Sequence, residues 1–137
     1  MGDCVFCEIV EGNSPASMVF QDETCIVLMD TEARNPGHML VVPKEHSASL
    51  SELEPDIGAH LFKVGQHVAN AVRLSNVRCE GVNLFLNDGE VAGQDVFHVH
   101  LHVLPRFEGD GVGFKGSKGE PSREELDGIA EDISHKT

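Results

Sequence analysis

The chain has 137 residues, which suits one domain, and 40% of them are hydrophobic, enough for an ordinary core. Its formal net charge of −13 argues against a protein that coats DNA or RNA, because binding many phosphates needs an excess of lysine and arginine. No stretch approaches the roughly 18 apolar residues of a membrane span, and the N-terminus lacks the pattern of a signal peptide, so the sequence predicts a cytoplasmic protein.

The first third of the chain predicts a short helix and three strands. Apolar positions in CVFCEIVEG indicate a helix that ends at Gly12. SMVFQDETCIVLMD predicts two strands around a turn at residues 21–23, and GHMLVVPKEH predicts a third strand that ends at Pro43.

The next segment has the clearest helical pattern. Apolar residues recur three or four positions apart from Ile57 to Val72, which is typical of a helix with one side facing the core. SELE at residues 51–54 is a capping-box pattern, and Pro55 suits a first turn. The helix is predicted to end near Ser75.

The rest of the chain predicts two more strands and a terminal helix. GVNLFLNDG indicates a strand that runs into a turn at residues 87–89. EVAGQDV then indicates a loop, and FHVHLHVLP indicates another strand. After Phe107, the glycine-rich and charged EGDGVGFKGSKGEPS predicts a mobile loop, and SREE begins a short capped helix with a thin apolar stripe. Antiparallel hairpins with one long helix predict an α+β domain.

Three histidines alternate with apolar residues in the last predicted strand: His98, His100 and His102. Because a strand alternates its faces, the imidazoles are predicted to share one side and the apolar residues between them the core side. At about 3.3 Å per residue, the two outer histidines stand roughly 13 Å apart along the backbone and are expected to face different partners. The plainer alternative is an amphipathic strand whose polar side happens to be histidine.

Cysteine and histidine spacing predicts a closed metal site. Cys4-x-x-Cys7 is a thiolate pair of the kind that binds zinc, and His46 and His98 would complete a tetrahedral set. Such a set has no open position and would be structural. The alternative is a buried helix with two incidental cysteines.

His100 and His102 then remain for chemistry. Imidazole is partly neutral near pH 7 and can attack phosphorus as a nucleophile. The neutral amides of Asn87 and Gln94, with close backbone approach at Gly93, suit phosphate oxygens in an acidic protein. NDG is also an ordinary turn sequence, which gives Asn87 a purely structural alternative.

These motifs resemble the histidine triad family. HVHLHVL follows GQDVF, and NPGHMLVVPKEH and LNDG precede them in that family's order and at similar spacing, between Cys4 and Phe107. The resemblance implies a fold with an antiparallel sheet of about five strands, one long helix and short terminal helices. It implies that residues 1–107 form the histidine triad domain and residues 108–137 a loop and short helix of the same domain. It also implies a homodimer whose sheets join across the long helix and one strand.

The resemblance further implies residue roles. His100 would attack the α-phosphate of a nucleoside phosphate ester, anhydride or phosphoramidate, and water or another acceptor would release the nucleotide from the histidine. His102 would contact the phosphate, and His38 would help the nucleophile's proton traffic. The residues implied to bind a purine nucleotide such as AMP are Asp30 at the ribose, Asn87, Gly93, Gln94 and Asp95 near the phosphate, and Phe6, Ile9, Met18 and Leu28 at the base. The zinc set recurs in bacterial members, and no organic cofactor is expected.

Three of these positions have further readings. Asp30 could simply end a strand, and His38 could be a solvated turn residue. Asp95 departs from members, the phosphoramidase branch among them, that have serine there. An ionised carboxylate close to a phosphate repels it, whereas one with a raised pKa can serve as an acid. VLPRFEGDG looks more like bacterial members and dinucleoside polyphosphate hydrolases, so phosphoramidates and dinucleoside polyphosphates both stay open as substrates.

Three kinds of function therefore fit the sequence. The first is a nucleotide hydrolase or nucleotidyl transferase with His100 as nucleophile. The second is a non-catalytic nucleotide-binding or partner-binding module that keeps the pocket. The third is a hydrolase with a catalytic zinc at His100 and His102.

Overall fold

The computed structural model describes residues 4–113, 116 and 118–137. The described elements are, in chain order, α1 Val5–Val10, β1 Met18–Gln21, β2 Cys25–Met29, β3 Met39–Pro43, α2 Pro55–Leu74, β4 Gly81–Leu86, a 3-10 turn Glu90–Ala92, β5 Leu101–Arg106 and α3 Arg123–Ser134. The prediction of an α+β fold with five antiparallel strands, one long helix and short terminal helices is confirmed.

The five strands form one antiparallel sheet in the order β1-β2-β3-β5-β4. β5 therefore lies between β3 and β4, and His102 stands opposite Leu40 on one side and Phe85 on the other. This order puts β5, which carries His102, inside the sheet, and the side chains of residues 101–105 are buried there.

Each face of the sheet buries a separate apolar cluster. Alternate residues of β2 and β3, such as Val27 and Val41, pack with the buried side of α2. Their neighbours Ile26 and Leu40 pack on the opposite face with Phe6 of α1. Period-two alternation in the strands thus supplies both clusters.

The long helix begins differently from its predicted cap. Glu54 is the N-cap, and its own carboxylate accepts hydrogen bonds from the backbone N–H of Asp56 and Ile57. The predicted cap at Ser51 is wrong, because Ser51 lies in the preceding turn with its hydroxyl 2.9 Å from that of Ser49. The predicted box at Ser122 is confirmed, since its hydroxyl accepts the Glu125 N–H.

The last strand begins later than predicted. Regular pairing starts only at Leu101, because the backbone N–H of Val99 donates to the carbonyl of Ser47 instead of joining the ladder. The alternation of faces nevertheless extends back through the irregular segment: Val99, Leu101 and Val103 all pack in the α2 cluster. His98 and His100 therefore share a side with His102 without belonging to the strand.

The C-terminal region is exposed along its helix. Every residue from 121 to 137 is exposed, including the apolar stripe of Leu126, Ile129 and Ile133.

The loop after Phe107, which was predicted to be mobile, is partly anchored, since Arg106 contacts the Asp110 carboxylate at 2.7 Å and the Asn35 amide donates to it. Phe114, Lys115 and Ser117 of that loop lie outside the described residues, and the grouping of residues 108–137 with the main domain stays a prediction.

Within the described ranges, no helix is long and apolar enough to cross a membrane.

A close approach between α2 and the sheet depends on Gly65. A Cβ added there would stand 2.9 Å from Leu101 Cδ2 and 3.1 Å from Leu84 Cδ2. We expect Gly65→Ala to lower the free energy of unfolding by about 1 kcal/mol, because overpacking outweighs the gain in helix propensity. Gly128→Ala is the matched control, since its added methyl group meets nothing within 4 Å. Urea denaturation of both variants measures the difference, and equal stability of the two would contradict the packing account.

An ion pair joins the β1–β2 turn to α2. Asp22 Oδ2 lies 2.6 Å from His60 Nε2, while Asp22 Oδ1 accepts the backbone N–H of Thr24 and Cys25. Burial tends to raise the pKa of Asp22, but the hydrogen bonds from His60 and from these two amides outweigh it and lower the pKa to about 2. The folded state therefore favours the ionised carboxylate, which adds to the free energy of unfolding. The pKa of this carboxyl group is about 4 in the unfolded chain, so the added stability is lost as the pH falls from about 4 through about 2.

We expect Asp22→Asn to lower the free energy of unfolding at pH 7 by about 1–2 kcal/mol. The amide keeps an oxygen for the two backbone donors and removes only the charge. Denaturant titrations of both proteins at pH 7, 4 and 3 should show the gap narrowing toward low pH. If the difference in free energy of unfolding between the two proteins stays constant over this range, the charge of the Asp22 carboxylate does not cause it.

Candidate active site and metal centre

Four predicted metal ligands meet at one end of the sheet. Cys4 lies directly before α1, and Cys7 lies within it. His46 follows β3, and His98 precedes β5. Their ligand atoms, two Sγ and two Nδ1, all lie within 4.8 Å of one another. Burial raises the pKa of the Cys7 thiol to about 11, with further contributions from Cys4 and Glu11.

The distances match a tetrahedral set of two sulfurs and two nitrogens. Cys4 Sγ lies 3.2 Å and Cys7 Sγ 3.7 Å from His98 Nδ1. His46 Nδ1 lies 3.3 Å from Cys7 Sγ and 3.1 Å from His98 Nδ1. Zinc bonds of about 2.3 Å to sulfur and 2.0 Å to nitrogen would separate tetrahedral ligands by roughly 3.3–3.8 Å. The donor set therefore fits Zn²⁺.

Hydrogen bonding fixes which nitrogen of His98 carries the proton. His98 Nε2 lies 2.8 Å from the carbonyl oxygen of Pro43, which can only accept. The proton of the neutral ring is therefore on Nε2, and the lone pair on Nδ1 faces the thiols. Burial lowers the pKa of His98, which keeps the ring neutral as metal ligation requires.

His100 has the opposite tautomer to His98. His100 Nδ1 lies 2.8 Å from the carbonyl oxygen of His98, so Nδ1–H donates and the lone pair is on Nε2. Asp95 Oδ1 stands 3.6 Å from that Nε2. Phe6 contacts the rings of both His98 and His100 edge-on, at centroid distances of 5.6 and 5.1 Å. His100 thus presents a fixed lone pair.

His102 is supported by His38 rather than by His100. The backbone N–H of Arg34 donates to His38 Nδ1, which leaves the proton of His38 on Nε2. That Nε2 lies 3.0 Å from His102 Nδ1 and 3.5 Å from Asp30 Oδ2. His102 Nδ1 therefore accepts, and its own proton is on Nε2. His38 thus contacts His102, and its predicted help with the proton traffic of His100 stays a prediction.

Burial keeps this histidine pair neutral. Desolvation, helped by His100 and His38, lowers the pKa of His102 to about 4. Desolvation also lowers the pKa of His38, against the opposing effect of the Asp30 carboxylate. Phe85 stacks on the His102 ring, with centroids 4.5 Å apart and planes 6° apart. At neutral pH His102 is a neutral hydrogen-bond donor held in one orientation.

A pocket of about 430 Å³ opens beside His100 and His102. Of the predicted nucleotide-binding residues, those that line it are Phe6, Ile9, Leu28, Asp30 and Asp95. Residues that sequence reasoning missed complete the lining: Val5, Pro15, Ala16, Ser17, Met29, Thr31, Glu32, Leu40 and Val96. Their residue types are common on any surface, so the sequence carried no signal for them.

Four predicted binding residues lie outside this lining. Met18 is exposed on β1, where it pairs with Leu28, and the pocket lining includes Leu28 and Met29 but not Met18. Gln94 is buried, and its amide donates to the carbonyls of Ala48 and Val96.

The remaining two residues contact each other. The amide of Asn87 donates to the carbonyl of Gly93 at 3.3 Å. The Gln94 amide oxygen also accepts the N–H of Gly89. Gln94 and the Asn87–Gly93 contact therefore shape the loop that carries Asp95.

The family model of the HIT domain matches residues 11–109. The chain belongs to the HIT family. A HIT-like protein of Borreliella burgdorferi is 40% identical over 116 residues, which is 84% of each chain. An adenosine 5′-monophosphoramidase of Schizosaccharomyces pombe is 33% identical and covers 97% of each chain. An adenylylsulfatase of Arabidopsis thaliana is 37% identical over 79% of this chain and 54% of that protein.

Solved HIT structures share the fold along nearly the whole chain. A HIT family protein from Bacillus anthracis superposes with a TM-score of 0.88 at 37% identity, covering 98% of this chain and 97% of the other. A Zn-bound histidine triad family protein from Mycobacterium smegmatis has a TM-score of 0.79 at 36% identity, covering 99% of both chains. These likenesses show that the chain shares the fold of HIT family proteins.

Proposed function

We propose that this HIT protein is a hydrolase or nucleotidyl transferase that acts at the α-phosphate of AMP conjugates, either phosphoramidates or dinucleoside polyphosphates. One observation carries the proposal: the His98 carbonyl holds the proton of His100 on Nδ1, so the lone pair on Nε2 is presented at the pocket. The names of two relatives, an adenylylsulfatase and an adenosine 5′-monophosphoramidase, describe enzymes that act on conjugates of AMP, which supports this proposal.

In the proposed reaction the Nε2 lone pair forms a bond to phosphorus while the bond from phosphorus to the leaving group breaks. Water then attacks the phosphorus, the N–P bond breaks, and its electron pair returns to Nε2, while the proton that the water loses replaces the one taken up by the leaving group or passes to solvent. His102 donates its Nε2–H to a phosphate oxygen. Its neutrality allows it to bind the anion without itself being a charged ion in a buried position.

The other pocket residues position the nucleotide. The apolar wall of Phe6, Ile9 and Leu28 suits the faces of a purine base. Asp30 lines the pocket and its carboxylate can accept the ribose hydroxyls. Asn87, Gly93 and Gln94 act by holding the loop of Asp95.

Cys4, Cys7, His46 and His98 are proposed to hold a structural Zn²⁺, for which the Zn-bound Mycobacterium smegmatis relative gives support. Since all four positions of a tetrahedral ion would be filled, the metal would stabilise the fold and leave no site for substrate.

A catalytic zinc at His100 and His102 has less support. Among the described residues, the other groupings that could bind a metal are Asp22 with Cys25 and His60, and Asp30 with His38 and His102. His100 is in neither. The Nδ1–H of His100 donates a hydrogen bond to the His98 carbonyl, and its Nε2 faces the Asp95 carboxylate.

A homodimer across α2 and one strand is also part of the proposal. β4 is an edge of the sheet, and next to it an apolar groove is lined by leucines and by Phe62, which is 59% exposed. A second copy would cover this surface.

His100→Ala is expected to lower turnover of an adenosine phosphoramidate at least about a thousandfold, because the nucleophile is gone. Intact-protein mass spectrometry after brief incubation should show a nucleotidyl adduct on wild type and none on the variant. His135→Ala, in the exposed tail, is the matched control and should behave as wild type.

AMP binding by the folded variant would show that the pocket survives. Full turnover by His100→Ala would refute the mechanism. Binding without turnover by wild type on phosphoramidates, dinucleoside polyphosphates and adenylyl sulfate would favour the non-catalytic binding module.

Zn²⁺ is expected to raise the midpoint of thermal unfolding of the apoprotein, because a metal that binds only the folded state stabilises it. Cys4→Ser should remove most of this rise, and Cys79→Ser, a thiol outside the cluster, should keep it. Calorimetry with and without Zn²⁺, alongside metal analysis, tests the assignment. A chelator that abolishes activity while the protein stays folded would instead indicate a catalytic ion.

A further inference from the structure

The pocket has an unusual charge for a site that receives a phosphate. Its lining includes three carboxylates, Asp30, Glu32 and Asp95, and no lysine or arginine occurs among the described residues that line it. The side-chain donors in the lining are the neutral His102 and the hydroxyls of Ser17 and Thr31, none of which carries a positive charge. A substrate with several negative charges would therefore meet repulsion without compensation.

The carboxylates of Asp30 and Asp95 differ in what they contact. Asp30 Oδ1 accepts the N–H of Glu32, and its Oδ2 faces His38 within the buried histidine pair. Asp95 is 70% exposed, and its Oδ1 stands 3.6 Å from His100 Nε2. Asp95 is thus the carboxylate beside the attacking atom.

The backbone on either side of Asp95 is held in place. The side chain of Gln94 bonds the N–H of Gly89 and the carbonyls of Ala48 and Val96. Because Gln94 is buried, these bonds fix the residue before Asp95 and position the carboxylate at the edge of the pocket.

The distance between Asp95 and the reacting phosphorus determines which substrate charges Asp95 can distinguish. A phosphorus atom poised for attack stands about 3–3.5 Å from the nucleophilic nitrogen. The groups attached to it lie within several ångströms of the Asp95 carboxylate. A unit charge at about 5 Å, in a partly solvated site, changes binding roughly tenfold in either direction.

We propose that Asp95 forms a subsite for a cationic leaving group, so that the protein prefers nucleoside phosphoramidates whose amine portion carries an ammonium group. Leaving groups that carry polyphosphate, sulfate or carboxylate are disfavoured at the same place. This inference rests on the proposed function and specifies which of its two substrate classes the site selects.

The reaction of such a substrate balances with one water. Nε2 of His100 bonds to phosphorus as the P–N bond breaks, and the departing amine nitrogen takes a proton from water. The hydroxide equivalent forms the new P–O bond when the N–P bond to His100 breaks, which regenerates the lone pair. The distal ammonium group takes no part in bond changes and interacts only with Asp95.

The test uses three AMP phosphoramidates that differ only at the far end of the amine. Their amine portions are 1,2-diaminoethane, propylamine and β-alanine, which end in an ammonium, a methyl and a carboxylate group. We expect wild-type kcat/KM to fall in that order, with the ammonium substrate favoured over the carboxylate one by about tenfold to a hundredfold.

Asp95→Asn keeps the size of the side chain and removes its charge. We expect it to lower the ratio of kcat/KM for the ammonium substrate to that for the carboxylate substrate by about tenfold. Glu90→Gln is the matched control, because it removes an exposed charge from the nearby 3-10 turn, outside the pocket lining. It should leave the ratio within about twofold of wild type.

The outcomes separate the two levels of the argument. If wild type cleaves all three substrates at equal rates, or if Asp95→Asn keeps the wild-type ratio, the subsite is refuted and the proposed reaction stands. A uniform loss on all three substrates would also refute it, since that result indicates a general structural effect. If wild type forms no nucleotidyl adduct and cleaves none of them, the proposed function fails and the subsite fails with it.

Discussion

The hydrogen bond from His100 Nδ1 to the carbonyl of His98 is the contact on which the rest of the site depends. His98 is held through its own ring, by the Pro43 carbonyl on one side and by the two thiols on the other. The backbone of one residue therefore links the cysteine–histidine cluster to the candidate nucleophile. Whatever fixes His98 also decides which nitrogen of His100 can react.

Burial determines the electrostatics of the site more than charge pairing does. The pKa values of His38, His98 and His102 all fall mainly because their rings are desolvated. Neutral rings can donate through one nitrogen and accept through the other, which a protonated imidazole cannot. An acidic protein thus obtains donors for an anion without adding cations that its carboxylates would neutralise.

Much of the fold follows from local pattern and residue chemistry. The alternation around His98, His100 and His102 predicted their common side, and the pairing of Cys4-x-x-Cys7 with two histidines predicted which residues meet. The start of β5 could not be predicted, because Val99 bonds to Ser47, which is 52 positions earlier and is placed only by tertiary structure. Asp22 and His60 likewise meet only when α2 packs on the sheet.

The pocket lining was harder to predict than the triad. Met18 pairs with Leu28, which lines the pocket, yet Met18 itself lies outside the lining, and residue type does not reveal this difference. Gln94 has the same amide whether it contacts a ligand or holds a loop, and only its burial distinguishes the two roles. Apolar residues such as Val96 and Met29 gave no signal because any core could use them.

The position of β5 in the sheet has a consequence for synthesis of the chain. β5 is the last strand in sequence, yet it lies between β3 and β4. Until it emerges from the ribosome, β3 has one open edge and β4 has no strand to pair with. The nascent chain must therefore carry unpaired, apolar strands until β5 becomes available, when a single insertion closes the sheet and delivers the histidines together.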